Sequence, residues 1–193
     1  MRTPITVAAL AGLTTAVSAQ NIGTVSLTAS VATAPIGGVF TIGIVLSDNI
    51  AGNSVFAFDL MVEGFGPGIA VPMDPTPDAG VFGFSGSASG SVVTGLGGSS
   101  DILGPDLDPS LDGVTVFSFQ VTTEVTCGMY EFTVSDGPGP NSAMQWGQEG
   151  GIVILPAEYD QIVFNGVSIF INPSPATTPL LALAGCVATR RRR

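Results

Sequence analysis

The chain has 193 residues, of which 15 are acidic and five basic, with no His, 26 Gly, 14 Pro and two Cys. The basic residues are Arg2 and Arg190 to Arg193, so no cationic side chain lies between Thr3 and Thr189. That balance argues against nucleic-acid binding, which needs cations along the contact face, and it removes imidazole bases, imidazole metal ligands and Schiff-base amines from the available chemistry.

In chain order, residues 1–19 read as a secretory signal peptide: Arg2, an apolar run from Ile5 to Leu13, then Val17-Ser18-Ala19 with small residues placed for cleavage. The expected mature chain starts at Gln20, and the signal segment is expected to be helical. Residues 20–172 then show apolar side chains recurring at every second position, the period of half-buried strands. Val25, Leu27, Ala29 and Val31 form one such run. Phe40, Ile42, Ile44 and Leu46 form the next, followed by Phe56, Phe58, Leu60 and Val62. The looser stretch Ala79 to Pro109, rich in Gly and Ser, reads as a flexible insertion with short strands at Phe82, Phe84, Val92 and Val93.

Alternation returns through Val114 to Val121 and again at Tyr130, Phe132 and Val134. Ile152 to Leu155 is a short apolar run. Tyr159 to Phe164 and Val167 to Ile171 flank Asn165-Gly166, a pair that predicts a two-residue hairpin because both positions accept positive φ. No window carries a sustained helical period. The expected fold is all-β: eight or nine strands in a two-sheet antiparallel β-sandwich, flanked by the N-terminal signal helix and a short C-terminal apolar helix.

Candidate ligand residues are few. Asp101, Asp106, Asp108 and Asp112 form the one dense acidic cluster, in a Pro- and Gly-rich stretch. Hard oxygen ligands at this spacing suit Ca²⁺, although the twelve-residue helix-loop-helix pattern is absent; the competing reading is a solvated acidic loop. Asp74 and Asp78 are a sparser pair of the same kind. A glycosidase would need two of these carboxylates at a defined separation, and the chain has no internal Arg or Lys to hold a substrate. The expectation is therefore a non-enzyme. Trp146, expected in a polar loop among Gln145, Gly147 and Gln148, is the candidate platform for a sugar, against the alternative of a packed indole. Cys127, at a turn and expected to be a small, partly buried residue, and Cys186, near the C-terminus, are expected to remain unpaired with each other once the tail is removed.

Residues 173–193 form a third segment. Pro173-Ser174-Pro175-Ala176-Thr177 breaks the chain, an apolar stretch follows to Thr189, and Arg190, Arg191, Arg192 and Arg193 close it. From Ala176 to Thr189 a helix would extend about 21 Å, short of the ~30 Å hydrocarbon core of a bilayer. The segment suits transient contact with the inner membrane, the arginines staying on the cytoplasmic side. In order and position it resembles the PEP-CTERM sorting signal of exosortase-processed bacterial surface proteins, with Ser174 where that signal usually has Glu. The resemblance implies an exosortase-type processing enzyme as a partner and a protein exported through the inner membrane to the cell surface or the extracellular polymeric matrix. Cleavage would leave the 15 carboxylates with no cationic side chain to oppose them.

A second resemblance covers Asn21 to Asn172. Ala34-Pro35-Ile36-Gly37-Gly38 before a strand, then Val55 to Val62, Asp112-Gly113-Val114 opening Thr115 to Val121, and Val163 to Ile169 together resemble the cohesin-type sandwich, a jelly roll. Cohesins bind dockerin modules through one sheet face, so the resemblance implies a protein-module partner. The two functions that follow are a structural or adhesive surface protein and, as the alternative, a cohesin-like or carbohydrate-binding module whose partner is a protein or a surface polysaccharide.

Overall fold

The computed structural model describes residues 19–50, 55–65, 68–78, 81–83, 85–99, 111–123, 126–138, 143–149 and 154–173. Both end segments, the expected signal peptide up to Ser18 and the tail from Ser174, lie outside them, as do the helices expected there. Among the described residues there is no helix, and so none long and apolar enough to cross a membrane.

The chain forms two sheets. The first, sheet A, is built from β1 (Ile22–Ala29), β3 (Val39–Asp48), β5 (Ile69–Ala70), β9 (Thr115–Thr123) and β13 (Gln161–Asn165), in the order β13-β1-β3-β9-β5. Sheet B runs β12-β11-β4-β10-β14-β2, comprising β2 (Thr33–Pro35), β4 (Val55–Phe65), β10 (Gly128–Asp136), β11 (Met144–Glu149), β12 (Ile154–Glu158) and β14 (Val167–Asn172). Its remaining strands are β6 (Phe82–Gly83), β7 (Ser87–Ser89) and β8 (Val92–Ser99), with β8 paired to β4.

Alternation places the core between the sheets. Phe40, Ile42, Ile44 and Leu46 of β3 point inward together with Phe117, Phe119 and Val121 of β9. From the other sheet they meet Phe58, Leu60 and Val62 of β4 and Tyr130, Phe132 and Val134 of β10. Two edge-to-face ring pairs join the layers: Phe40 to Phe132 and Phe58 to Phe117, each with centroids 5.9 Å apart. Such pairs add about 0.5–1.5 kcal/mol each beyond area burial. A register shift between Ile44 and Val45 leaves Val116 as the extra residue of a bulge, so Val116 and Phe117 are both buried.

Three expectations are corrected. Asn165-Gly166 is not a hairpin turn. β13 pairs in parallel with β1 in sheet A, whereas β14 pairs antiparallel with β10 in sheet B, so the last strand crosses between the sheets at Gly166. Its φ is not positive; glycine is required because a Cβ there would run into the Phe132 carbonyl oxygen. The N-terminal strand crosses in step, since β2 pairs in parallel with β14. The sandwich is therefore mainly antiparallel with two parallel pairs along this seam. Val31, in the crossing segment, is turned out to solvent rather than continuing the buried run of β1.

The second correction concerns the Gly- and Ser-rich stretch. Residues 92–99 are a strand of sheet B with six registered partners on β4, and Val93 and Leu96 are fully buried. Gly95 has φ +69° and marks the irregularity in that pairing. Third, Trp146 lies on β11, between β4 and β12, rather than in a loop. β10 and β11 follow one another along the same edge of β4. The break between them is closed where Gly137 N–H donates to Asp59 O (3.0 Å) and Asp59 N–H donates to Ala143 O (3.2 Å).

Candidate functional site

The two outer faces of the sandwich differ in charge. On sheet A, register puts Thr24 beside Ser47, Ser26 beside Val45, and Thr28 beside Gly43. It also sets Thr41 beside Gln120 and Gly43 beside Ser118, while Val163 and Asn165 of β13 flank Thr24 and Ser26. Asn165 Nδ2 donates to Ser26 Oγ (3.2 Å) and Thr28 Oγ1 donates to Gly43 O (3.3 Å). None of these strand positions is ionisable; one carboxylate, Asp78, reaches the face at its β9 edge through Ser118.

Sheet B carries carboxylates on its outer face. Alternation with the buried Phe58, Leu60 and Val62 turns Asp59, Met61 and Glu63 outward; alternation with Tyr130 and Phe132 does the same for Met129 and Glu131. Glu131 lies opposite Ser168, and Met129 lies opposite Phe170. Met129 is 61% exposed and Phe170 is 41% exposed. An apolar pair thus sits on the outer face of the sheet at the edge of an acidic field, and no internal cation of this chain can neutralise it. The sequence pattern held a signal for these two residues, because Met129 and Phe170 occupy the outward phase of otherwise inward-alternating strands.

Of the predicted acidic ligands, only Asp112, Asp74 and Asp78 lie among the described residues. Asp101, Asp106 and Asp108 lie outside the described residues. Asp112 approaches β9, and its Oδ1 accepts the Asp48 N–H (3.0 Å). Asp48 in turn accepts the Ile50 N–H through Oδ1 (2.9 Å) and the Tyr159 hydroxyl through Oδ2 (2.7 Å). Burial, then the hydrogen bond to Asp48, then the charges of Asp48 and Asp112 hold the Tyr159 phenol far above its usual range. Nearby, Asn21 N–H donates to Asp160 Oδ2 and Ile22 N–H donates to Asn49 Oδ1, both at 2.7 Å. This polar knot ties the start of β1 to the ends of β3 and β12. Among the described residues no group of three or more His, Cys, Asp or Glu is arranged to hold a metal ion.

Asp74 Oδ1 accepts the Ala88 N–H (2.6 Å), and Asp78 Oδ2 accepts the Ser118 hydroxyl (2.8 Å). The Trp146 indole packs against the core, half-buried, and its Nε1–H donates to Glu158 O (3.0 Å). Tyr130 is buried with its hydroxyl donating to Thr126 O (2.7 Å), whereas Cys127 is exposed rather than partly buried. Pro173 is exposed at the end of the described chain; Ser174, Pro175 and Arg190, Arg191, Arg192 and Arg193 lie beyond it.

No family model matches the chain, and no curated protein shows significant sequence similarity to it. Solved structures do match. The seventh ScaB type I cohesin from Pseudobacteroides cellulosolvens aligns with a TM-score of 0.54 at 9% identity, over 80% of this chain and 94% of that one. The cohesin module of a family 33 glycoside hydrolase from Clostridium perfringens aligns with a TM-score of 0.51 at 9% identity, over 80% of this chain and all of that one (100%). The fold is thus a cohesin-like β-sandwich, as the strand pattern and its entrance residues suggested.

Proposed function

We propose that the protein is an exported, non-catalytic interaction module of the cell surface or extracellular matrix, which binds a partner protein through the outer face of sheet B. The observation that carries this reading is the exposed Met129–Phe170 pair beside Glu131 on the outer face of sheet B. Exposed apolar residues rimmed by one sign of charge are the usual marks of a docking surface: desolvation of the apolar centre supplies affinity, and the charge steers encounter and selects a complementary partner. The partner in this reading is a protein module presenting an apolar contact next to Lys or Arg. The cohesin-like fold supports a protein partner. Delivery follows from the signal segment before Gln20, with release or retention set by an exosortase-type enzyme acting at Pro173-Ser174-Pro175 after a transient membrane stop by Arg190 to Arg193.

The test uses the full chain as bait for surface proteins of its own source. Capture of a defined partner that weakens with NaCl and is lost in Met129→Asp/Phe170→Asp, with the melting temperature unchanged, agrees with the reading. Capture unaffected by that double variant contradicts it.

A further inference from the structure

Sheet A has a break at its β5 edge. Ala70 pairs with Thr122 and Pro77 bridges to Phe117, where Asp78 N–H donates to Val116 O (2.9 Å). Between those two anchor points the chain from Val71 to Thr76 has no registered pairing with β9. The cause is local: Pro72, Pro75 and Pro77 have no N–H to give a ladder, and the prolines arch the segment away from the strand. The arch encloses a pocket of about 310 Å³ whose floor is Thr41, Ser118 and Gln120 and whose wall is Pro72, Met73 and Pro75.

We infer that this pocket is a binding site for one or two rings of an uncharged saccharide. The Gln120 amide and the Thr41 hydroxyl can donate and accept, as sugar hydroxyls require, while the Ser118 hydroxyl, donating to Asp78, is left as an acceptor. Asp74 lines the same space, with one carboxylate oxygen fixed by the Ala88 N–H. The apolar wall suits the C–H faces of a pyranose. An anionic ligand is disfavoured by Asp74 and by the lack of any internal cation. An extended peptide is disfavoured because the open strand edge is stopped at both ends by the anchors. A wholly apolar ligand would cover the Gln120 amide and the Thr41 hydroxyl without pairing them. The volume lies at the low end of ligand pockets, about 300–1,000 Å³. Asp78, bonded to Ser118, is the other carboxylate at this edge; away from it, the outward positions of β3 and β1 that neighbour the pocket, Thr41, Gly43, Thr28 and Ser26, are uncharged, so a longer polymer can extend in that direction. This site is independent of the partner face on sheet B, and it differs from Trp146, whose N–H is already bonded within the protein.

The test is a titration of the full chain with cello-, xylo-, manno- and malto-oligosaccharides, followed by NMR or calorimetry, with an oligogalacturonate as the acidic counterpart. The expected result is saturable binding of at least one neutral oligosaccharide, with Kd on the order of 1 mM or tighter. Gln120→Ala and Met73→Asp should each weaken it by about tenfold at unchanged melting temperature, while Cys127→Ser leaves it intact. Three results would overturn the inference: no neutral oligosaccharide binding up to about ten times that concentration, equal binding of the acidic one, or binding that survives both pocket variants.

Discussion

Replacing Gly166 separates a crossing strand from a hairpin. In a two-residue turn of the Asn-Gly type, position 166 would need positive φ, and Asn, which tolerates that region, would be a mild replacement. In the structure Gly166 has no positive φ, and what forbids a side chain is the Phe132 carbonyl against which a Cβ would press. Ala and Asn should then be equally damaging. The obstruction is backbone of β10, next to the fully paired Phe132–Val167 register, so relief requires the β13–β14 crossing to move as a unit. Overpacking of this kind costs about 1–3 kcal/mol. At about 2–4 °C per kcal/mol for a domain of this size, the melting temperature should fall by about 2–12 °C. Thermal unfolding of the full chain, followed by circular dichroism, reads the shift. If Gly166→Asn melts within about 1 °C of the parent while Gly166→Ala is clearly destabilised, the position is a turn and the crossing is wrong.

Other consequences follow from single contacts. Phe132→Ala removes a buried ring and its edge contact with Phe40, and should cost about 3–5 kcal/mol in chemical denaturation; a loss below about 1 kcal/mol would contradict the packing. Tyr159 has a folded pKa raised above its unfolded value, so its contribution is full below about pH 10 and is lost as pH rises from there. Tyr159→Phe should flatten the alkaline fall in stability and, by removing the bond to Asp48, lower stability at neutral pH by about 1 kcal/mol. An unchanged alkaline profile would count against that role. Because 15 carboxylates lack internal cationic partners, NaCl should raise the melting temperature by screening. A saturable excess for Ca²⁺ over Mg²⁺ and NaCl, abolished by Asp106→Ala plus Asp108→Ala, would assign an ion to the 101–112 stretch; an equal response to all three salts would make those acids a solvated coat.

The sheets were legible where side-chain alternation carries the information. Phe40, Ile42, Ile44 and Leu46 read as one inward face and are one, each almost fully buried. Residues 92–99 did not read as a long strand because Gly95, Gly97 and Gly98 leave no apolar phase; their place comes from pairing with β4. Asn165-Gly166 misled because two different demands select glycine, positive φ and close backbone approach, and only the fold says which applies. The Asp48–Asp112–Tyr159 knot joins residues 64 and 111 positions apart, which no local spacing encodes. The arch over β9 was foreshadowed by three prolines, yet the pocket depends on where its two anchors fall. For the docking face, the pattern gave the outward phase of Met129 and Phe170, but their adjacency required the β10–β14 register.

Sheet B is the proposed partner face. Amide hydrogen exchange on the full chain, alone and with its captured partner, tests it most directly. Added protection concentrated on β4, β10 and β14, around Asp59, Glu63, Met129 and Phe170, is the predicted result. Protection confined to β1, β3 and β9, with none on β10 or β14, would contradict it.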